Sequence, residues 1–305
     1  MTLNFDVIVI GSGAAGMTAA IYLKRANVNV MMLDKNAPGG QINRIAFIEN
    51  YPGFSNVAGS DLAYNMFMQT QELGVPYKYG NVVSIKDEGD YKVVKTEQEE
   101  FTCKSVIIAT GRKPKELGLE NEKKLIGRGI SWCAICDATL FKDKDVVVVG
   151  GGNCALIESL YLSDIVNSVT IVHRSSEFRA EKIMQDRIFS NPKIKVHFNS
   201  VVTKLNIADN KLEGVQVFNK EEEKESTINA AGLFIFIGFE PSTEYVRDLN
   251  IATDNNYIVV DNNMRTDTPG VYACGDVIKK ELYQITTSVA EGSIAAMSAV
   301  NDLKE

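Results

Sequence analysis

The chain of 305 residues predicts an α/β fold carrying two dinucleotide-binding units, and three observations lead there. A buried strand, a glycine turn, a helix and a second strand open the sequence. The same succession returns near the middle with the same internal spacing. The composition, 45% hydrophobic and 23% charged, is that of an ordinary folded chain and excludes disordered or low-complexity classes. At about 150 residues per domain, the length accommodates two domains.

Residues 6–10 read as a buried strand that runs into Gly11-Ser12-Gly13-Ala14-Ala15-Gly16. A helix-like stretch over residues 17–23 and a strand over 28–33, ending at Asp34, complete a βαβ unit. The glycines occupy the tight turn, the close-approach position and the helix–strand contact. They let backbone N–H groups reach a pyrophosphate, which the helix N-terminus stabilises. Asp34 lies 23 residues after Gly11, where a carboxylate accepts hydrogen bonds from a ribose diol.

The second unit starts with a strand over residues 146–149 and continues through Gly150-Gly151-Gly152-Asn153-Cys154-Ala155. The Ala at the third contact position is an accepted variant. A helix-like stretch to Leu162 and a strand over residues 169–172 follow. His173 lies 23 residues after Gly150, so it occupies the register of Asp34, and Arg174 comes next. A carboxylate repels a ribose 2′-phosphate, whereas imidazole and guanidinium bind one. The first site therefore suits an adenine dinucleotide with a free diol, and the second leans toward NADP. Two dinucleotides on one chain imply electron transfer between them, with a flavin as partner of the nicotinamide.

Lys+Arg 32 against Asp+Glu 39 gives a net charge of −7, which argues against a nucleic-acid or anionic-membrane surface. The longest apolar run, residues 230–239, holds two glycines and is about half the length of a membrane helix. Asp6 interrupts the apolar N-terminus without a basic segment before it, so no signal peptide is expected, and the location expected is cytoplasmic. Five cysteines are too few for a disulfide-dense secreted scaffold. One pair, Cys133 and Cys136, has a meaningful spacing within Ser131-Trp132-Cys133-Ala134-Ile135-Cys136-Asp137. A redox-active disulfide is the favoured reading, with half a zinc site and an inert buried pair as alternatives. Cys103, Cys154 and Cys274 are read as small packing residues. The charged run at residues 220–225 reads as an exposed turn between strands.

Further motifs stand in order along the chain: Gly39-Gly40-Gln41, Glu49-Asn50-Tyr51-Pro52-Gly53, Ala109-Thr110-Gly111, Gly238-Phe239-Glu240-Pro241 and Thr268-Pro269-Gly270-Val271-Tyr272-Ala273-Cys274-Gly275-Asp276. Together with the glycine turns and the dithiol, they resemble the low-molecular-weight bacterial thioredoxin reductases, a group of FAD-dependent pyridine nucleotide-disulfide oxidoreductases. The resemblance covers essentially the whole chain. It implies two Rossmann-like domains, the second inserted into the first. The FAD lobe would comprise residues 1–112 and 245–305, and the NAD(P)H lobe residues 113–244 with the dithiol. Pro114 and Pro241 fall near the two crossovers.

The resemblance also implies site residues. FAD would be bound by Gly11, Ser12, Gly13, Ala14, Ala15, Gly16, Asp34 and Lys35, then by Gly40, Gln41, Asn50 and Val83. Ala109, Thr110, Gly111, Gly275, Asp276, Gln284 and Ile285 would complete that site, with Asp276 on the ribityl chain. NADPH would be bound by Gly150, Gly152, Asn153, Cys154, Ala155, His173, Arg174 and Arg179. No metal is implied. Catalysis would fall to Cys136 facing the flavin, Cys133 attacking the disulfide of thioredoxin and Asp137 managing the thiol protons. The small lobe would swing between two orientations, as in the family. A thioredoxin or thioredoxin-like protein is the implied partner, and a homodimer the implied assembly.

Three departures qualify this pattern. The family usually has a further Arg after His-Arg, whereas Ser175 stands here, so NADH is an alternative donor. Ile157 stands where an acidic residue is common, and Tyr283 where an Arg commonly precedes the Gln. A ferredoxin-driven disulfide reductase and a non-enzymatic flavin redox sensor are the alternative functions.

Overall fold

The computed structural model describes residues 4–45 and 48–304. In the first part of the chain, β1 (Phe5–Ile10), α1 (Ala14–Arg25) and β2 (Val30–Asp34) form the expected βαβ unit. The strands pair in parallel with Val7 opposite Val30 and Ile10 opposite Leu33. Apolar residues on both faces let this pair lie in the middle of a covered sheet, the usual setting of parallel strands. After α2 (Gly59–Glu72), β3 (Tyr77–Tyr79) adds in parallel beside β2. A meander of β4 (Val82–Asp87), β5 (Lys92–Thr96) and β6 (Glu100–Ile108) follows, antiparallel within itself. The nine-residue β6 then lies parallel to β1, giving the order β3-β2-β1-β6-β5-β4.

The chain passes through β7 (Arg112–Pro114) into a second compact unit, Pro114–Phe239. It contains β8 (Ile130–Ser131), α3 (Ala134–Asp137), β9 (Asp145–Gly150), α4 (Asn153–Ser163), β10 (Ser168–Val172), α5 (Lys182–Phe189) and β11 (Ile194–His197). An antiparallel meander of β12 (Ser200–Ala208), β13 (Lys211–Asn219) and β14 (Lys224–Asn229) comes next, and β15 (Gly232–Phe236) returns to the parallel sheet. That sheet has the order β11-β10-β9-β15-β8. Of the charged run at residues 220–225, residues 220–223 turn between β13 and β14, and Lys224 and Glu225 open β14.

Beyond β16 (Phe239–Pro241), the chain belongs to the outer unit again. The return comes at Glu240, earlier than the crossover expected from the sequence. Ser242 accounts for the difference: its N–H donates to the Gly111 carbonyl at 3.2 Å, and its carbonyl accepts from Thr110 Oγ1 at 2.9 Å and from the buried Tyr245 hydroxyl at 3.0 Å. After the short β17 (Thr253–Asp254) and β18 (Tyr257–Ile258), β19 (Val271–Ala273) pairs in parallel with the last residues of β6. The final helix, α6 (Ile285–Asp302), packs on α1. Both units are thus Rossmann-like, a parallel sheet accompanied by a three-stranded antiparallel meander.

The α1–α6 contact depends on the lack of a side chain at Gly292, where a Cβ would overlap the Ala15 carbonyl. Gly292→Ala is expected to force the two helices apart and to cost about 1–3 kcal/mol, read as a lower urea midpoint. An unchanged midpoint would show that α6 has slack at this crossing.

Candidate functional site

At the end of β1 the chain turns directly into α1. Gly11 makes the turn at φ +106°, and a Cβ there would strike the Ala109 carbonyl. A Cβ on Gly16 would strike the Gly11 carbonyl, whereas one on Gly13 would meet no described atom within 4 Å. The outer glycines therefore close helix on strand, and the middle one leaves bare backbone. Gly40 lies beside it, its own Cβ position 3.6 Å from the Gly13 Cα. Among the described residues no side chain caps α1, so its first N–H groups stand available with the helix dipole behind them. At the end of β2, Asp34 Oδ2 accepts from Ser12 N at 2.7 Å and Ser12 Oγ at 2.8 Å, while Oδ1 accepts from Asn36 N at 2.9 Å. Ala14 and Ala15 are buried; Lys35 and Val83 are exposed. Bare backbone, an uncapped helix start and a fixed carboxylate fit a dinucleotide pyrophosphate and ribose.

Several other residues expected around this site meet at Arg112. Its carbonyl accepts from Gln41 Nε2 at 3.0 Å. Its guanidinium donates to Asp276 Oδ2 from Nε at 3.1 Å and from Nη2 at 2.8 Å, and lies 4.1 Å from the centre of the Tyr283 ring. Gln284 caps α6 through a capping box with Thr287, and its Oε1 accepts from Asn50 Nδ2 at 3.2 Å. Thr110 Oγ1 donates to the Ser242 carbonyl at 2.9 Å, and Gly111 takes φ +63°. Gly275 turns at φ +77°, with its N–H donating to Glu291 Oε2 at 2.9 Å. Lys280 Nζ lies 2.8 Å from Glu291 Oε2 and 3.4 Å from Asp276 Oδ1. Arg112, Lys280 and Glu291 were not among the residues the sequence singled out. For Arg112 the one local signal is its place directly after the glycine that closes β6.

The second glycine turn repeats the device. Gly150 turns at φ +152° against the Phe236 carbonyl, Ala155 is buried, and a Cβ on Gly152 would meet no described atom within 4 Å. Among the described residues α4, like α1, has no side-chain cap. Arg179 N donates to the Gly151 carbonyl at 2.8 Å. Asn153 exchanges two bonds with Glu181, accepting from Glu181 N at 2.7 Å and donating to Glu181 Oε1 at 2.9 Å. The segment after β10 is thereby tied to the turn.

His173 takes a part that register alone does not predict. Its ring is buried directly beneath Gly151, where a Cβ would overlap it, and packs near Phe178 and Phe198. Because a carbonyl only accepts, Nε2 carries the proton it donates to the Glu177 carbonyl at 3.0 Å. Burial, joined by the charges of Arg179 and Arg174, holds the imidazole below its ordinary value. The ring lies under the turn with Nε2 engaged by the Glu177 carbonyl. The exposed cations of this segment are Arg174 and Arg179.

Cys133 and Cys136 form a disulfide across the start of α3, with Cα atoms 5.3 Å apart. Cys133 is buried and Cys136 exposed. Cys133 N donates to Ser131 Oγ at 2.9 Å, and Cys136 N to Cys133 Sγ at 3.2 Å. Asp137 closes the turn, its N–H donating to the Cys133 carbonyl at 3.3 Å. Among the described residues no group of three or more His, Cys, Asp or Glu side chains could hold a metal ion. Cys103 and Cys274 are buried, and burial pushes the Cys103 thiol up to about 12, which suits packing and not redox work. Cys154 is exposed at the start of α4. One turn on, Glu158 is buried with Oε2 lacking a hydrogen-bond partner among the described residues. Burial pushes its carboxyl up to about 8.

A family model described as pyridine nucleotide-disulphide oxidoreductase matches residues 5–292. The thioredoxin reductase of Listeria monocytogenes is 40% identical over 304 residues, which covers 99% of this chain and 95% of that protein. A crystal structure of Lactococcus lactis thioredoxin reductase in its FR conformation is similar with a TM-score of 0.95 and 41% identity, covering 99% of each chain. That of T. acidophilum thioredoxin reductase is similar with a TM-score of 0.94 and 35% identity, again over 99% of each chain. Among the described residues no helix is long and apolar enough to cross a membrane.

Glu158 makes stability depend on pH. Its carboxyl ionises near 4.5 when unfolded and near 8 when folded, so the folded chain binds more protons in between and loses stability as pH rises through that window. Glu158→Gln is expected to remove this loss. Its stability advantage over the wild type should grow by about 1–3 kcal/mol between about pH 5 and pH 9, measured by urea unfolding at both. A constant difference would contradict the assignment.

Proposed function

Because the chain belongs to the pyridine nucleotide-disulphide oxidoreductase family, we propose that it is a thioredoxin-disulfide reductase in which electrons pass from NADPH through FAD and the Cys133–Cys136 disulfide to thioredoxin. The observation that carries this reading is the closed Cys133–Cys136 disulfide in the same compact unit as the second glycine turn. FAD, when bound, supplies the two-electron relay between nicotinamide and disulfide.

In this reading the outer unit is the FAD domain and Pro114–Phe239 the NADPH domain. The bare backbone at Gly13 and the start of α1 hold the FAD pyrophosphate, and Asp34 its ribose. Gly150, Gly152, Asn153 and Ala155 perform the same service for NADPH, with Arg174 and Arg179 serving the 2′-phosphate. The guanidinium absent at Ser175 removes one charge-assisted contact, worth about 1.5–3 kcal/mol of preference for NADPH over NADH.

Once reduced, the Cys133 thiolate attacks one sulfur of the thioredoxin disulfide. That S–S bond breaks, and a mixed disulfide forms. Cys136 then attacks Cys133 Sγ, re-forming the Cys133–Cys136 bond and releasing thioredoxin as a dithiol. Asp137, at the end of the same turn, takes the thiol proton and returns it to the departing thiolate. Cys133 is the buried partner, so it must become accessible before the first attack. A cytoplasmic homodimer completes the proposal, checked by sedimentation of the purified protein.

Cys133→Ser and Cys136→Ser are each expected to abolish thioredoxin reduction while FAD stays bound and reducible by NADPH. Turnover of thioredoxin by either variant would refute the roles given. Anaerobic stopped-flow mixing should bleach the flavin absorbance faster with NADPH than with NADH. Bleaching only by reduced ferredoxin would replace the nucleotide donor. Ser175→Arg is expected to lower the KM for NADPH about tenfold or more relative to that for NADH; equal changes would show that position 175 does not read the phosphate.

A further inference from the structure

Four segments expected to surround the flavin meet at one residue that no motif contains. Arg112 follows Gly111 at the end of β6, receives Gln41 on its carbonyl, and forks its guanidinium onto one oxygen of Asp276 at 3.1 and 2.8 Å. The face of the same guanidinium lies 4.1 Å from the centre of the Tyr283 ring, next to the Gln284 cap of α6. The other Asp276 oxygen accepts from Ser288 Oγ at 3.3 Å and lies 3.4 Å from Lys280. Lys280 in turn pairs with Glu291, which accepts from Gly275 N. Two cations and two carboxylates thus alternate around the Gly275-Asp276 turn, and all four are largely shielded from solvent, Arg112 at 17% and Asp276 at 24% side-chain exposure.

We propose that Arg112, clamped between Asp276 and the Tyr283 ring, is a positioning residue for the flavin. It fixes the carboxylate that holds the ribityl chain and supplies the positive charge that favours the reduced, electron-rich flavin. This rests on the reading of the outer unit as the FAD domain. A carboxylate without its guanidinium would be held only at its other oxygen, by Ser288 and Lys280, and the cluster would carry one negative charge in excess where electron density rises on reduction. Lysine keeps the charge but not the fork or the stack. The departure at Tyr283 acquires a physical account: position 283 offers the aromatic face, and the guanidinium that lies on it comes from position 112.

The test compares Arg112→Gln, Arg112→Lys and Tyr283→Leu with the wild type, each stripped of flavin and titrated with FAD, and each reconstituted protein poised against redox dyes. Arg112→Gln is expected to weaken FAD binding about tenfold or more and to lower the flavin midpoint potential. Arg112→Lys should restore the potential while binding FAD more weakly than the wild type. Tyr283→Leu should weaken FAD binding by roughly two- to fivefold. Wild-type FAD affinity and potential in Arg112→Gln would overturn the proposal. If that variant does not fold, a lowered potential in Arg112→Lys would overturn it instead. A wild-type protein that takes up no FAD would overturn the reading of the outer unit, a result distinct from either.

Discussion

How closely a helix start can approach the end of a parallel strand governs the rest of this molecule. Any Cβ at Gly11, Gly16 or Gly150 would run into backbone or into a neighbouring side chain. Without them, α1 and α4 begin within van der Waals reach of β1 and β9, with the N–H groups of their first turns unspent. A helix dipole then ends at bare backbone, which favours phosphate oxygens at little reorganisation cost. The sheets, the covering helices and the meanders serve to hold these two turns still.

Because the device occurs twice, the residues that differ between copies carry the chemical distinctions. Asp34 and His173 share a register, yet one holds the Ser12 N–H and hydroxyl and the other lies under Gly151 as a neutral ring. Charge at the second site comes instead from Arg174 and Arg179 on the segment that follows, tied back through Gly151 and Asn153. In the outer copy the distinctive group is a partly buried ionic cluster, with Arg112 and Lys280 interleaved between Asp276 and Glu291. Such pairs gain little from being ionic alone, since desolvation offsets attraction. Their value lies in fixing a carboxylate and a backbone turn in one geometry.

Local pattern was enough to read the two βαβ units, their glycines, the exposed turn at residues 220–223 and the dithiol, because each depends on neighbours within a few residues. The order of motifs along the chain then pointed to the family. Long-range packing stayed hidden. Arg112 reaches Asp276 across a separation of 164 residues, so nothing near either residue announces the pair. The surroundings of His173 are hidden for a related reason: its spacing places it at the strand end, but its packing beside Phe178 and Phe198 is set by the fold. Glu158 escaped notice because an acid on an otherwise apolar helix looks like a solvated one until its neighbours are known. The return at Glu240 is hidden likewise, because the bonds from Ser242 to Gly111 and Thr110 cross more than 130 residues.

The route of the chain through the outer unit has a consequence during synthesis. Strand β6 finds its neighbour β19, and α1 finds α6, only after the ribosome has delivered the return segment that begins at Glu240. Nearly all of the inner unit is the single stretch Pro114–Phe239, complete while the return segment from Glu240 onward is still missing. A nascent chain halted before β19 therefore carries a finished inner unit and an unfinished outer one, with the flank of β6 and the small-residue face of α1 uncovered. Unpaired strand edges and bare apolar faces are what chaperones bind. Pausing in the final stretch, or truncation within α6, would turn a cofactor-binding protein into a client of the folding machinery.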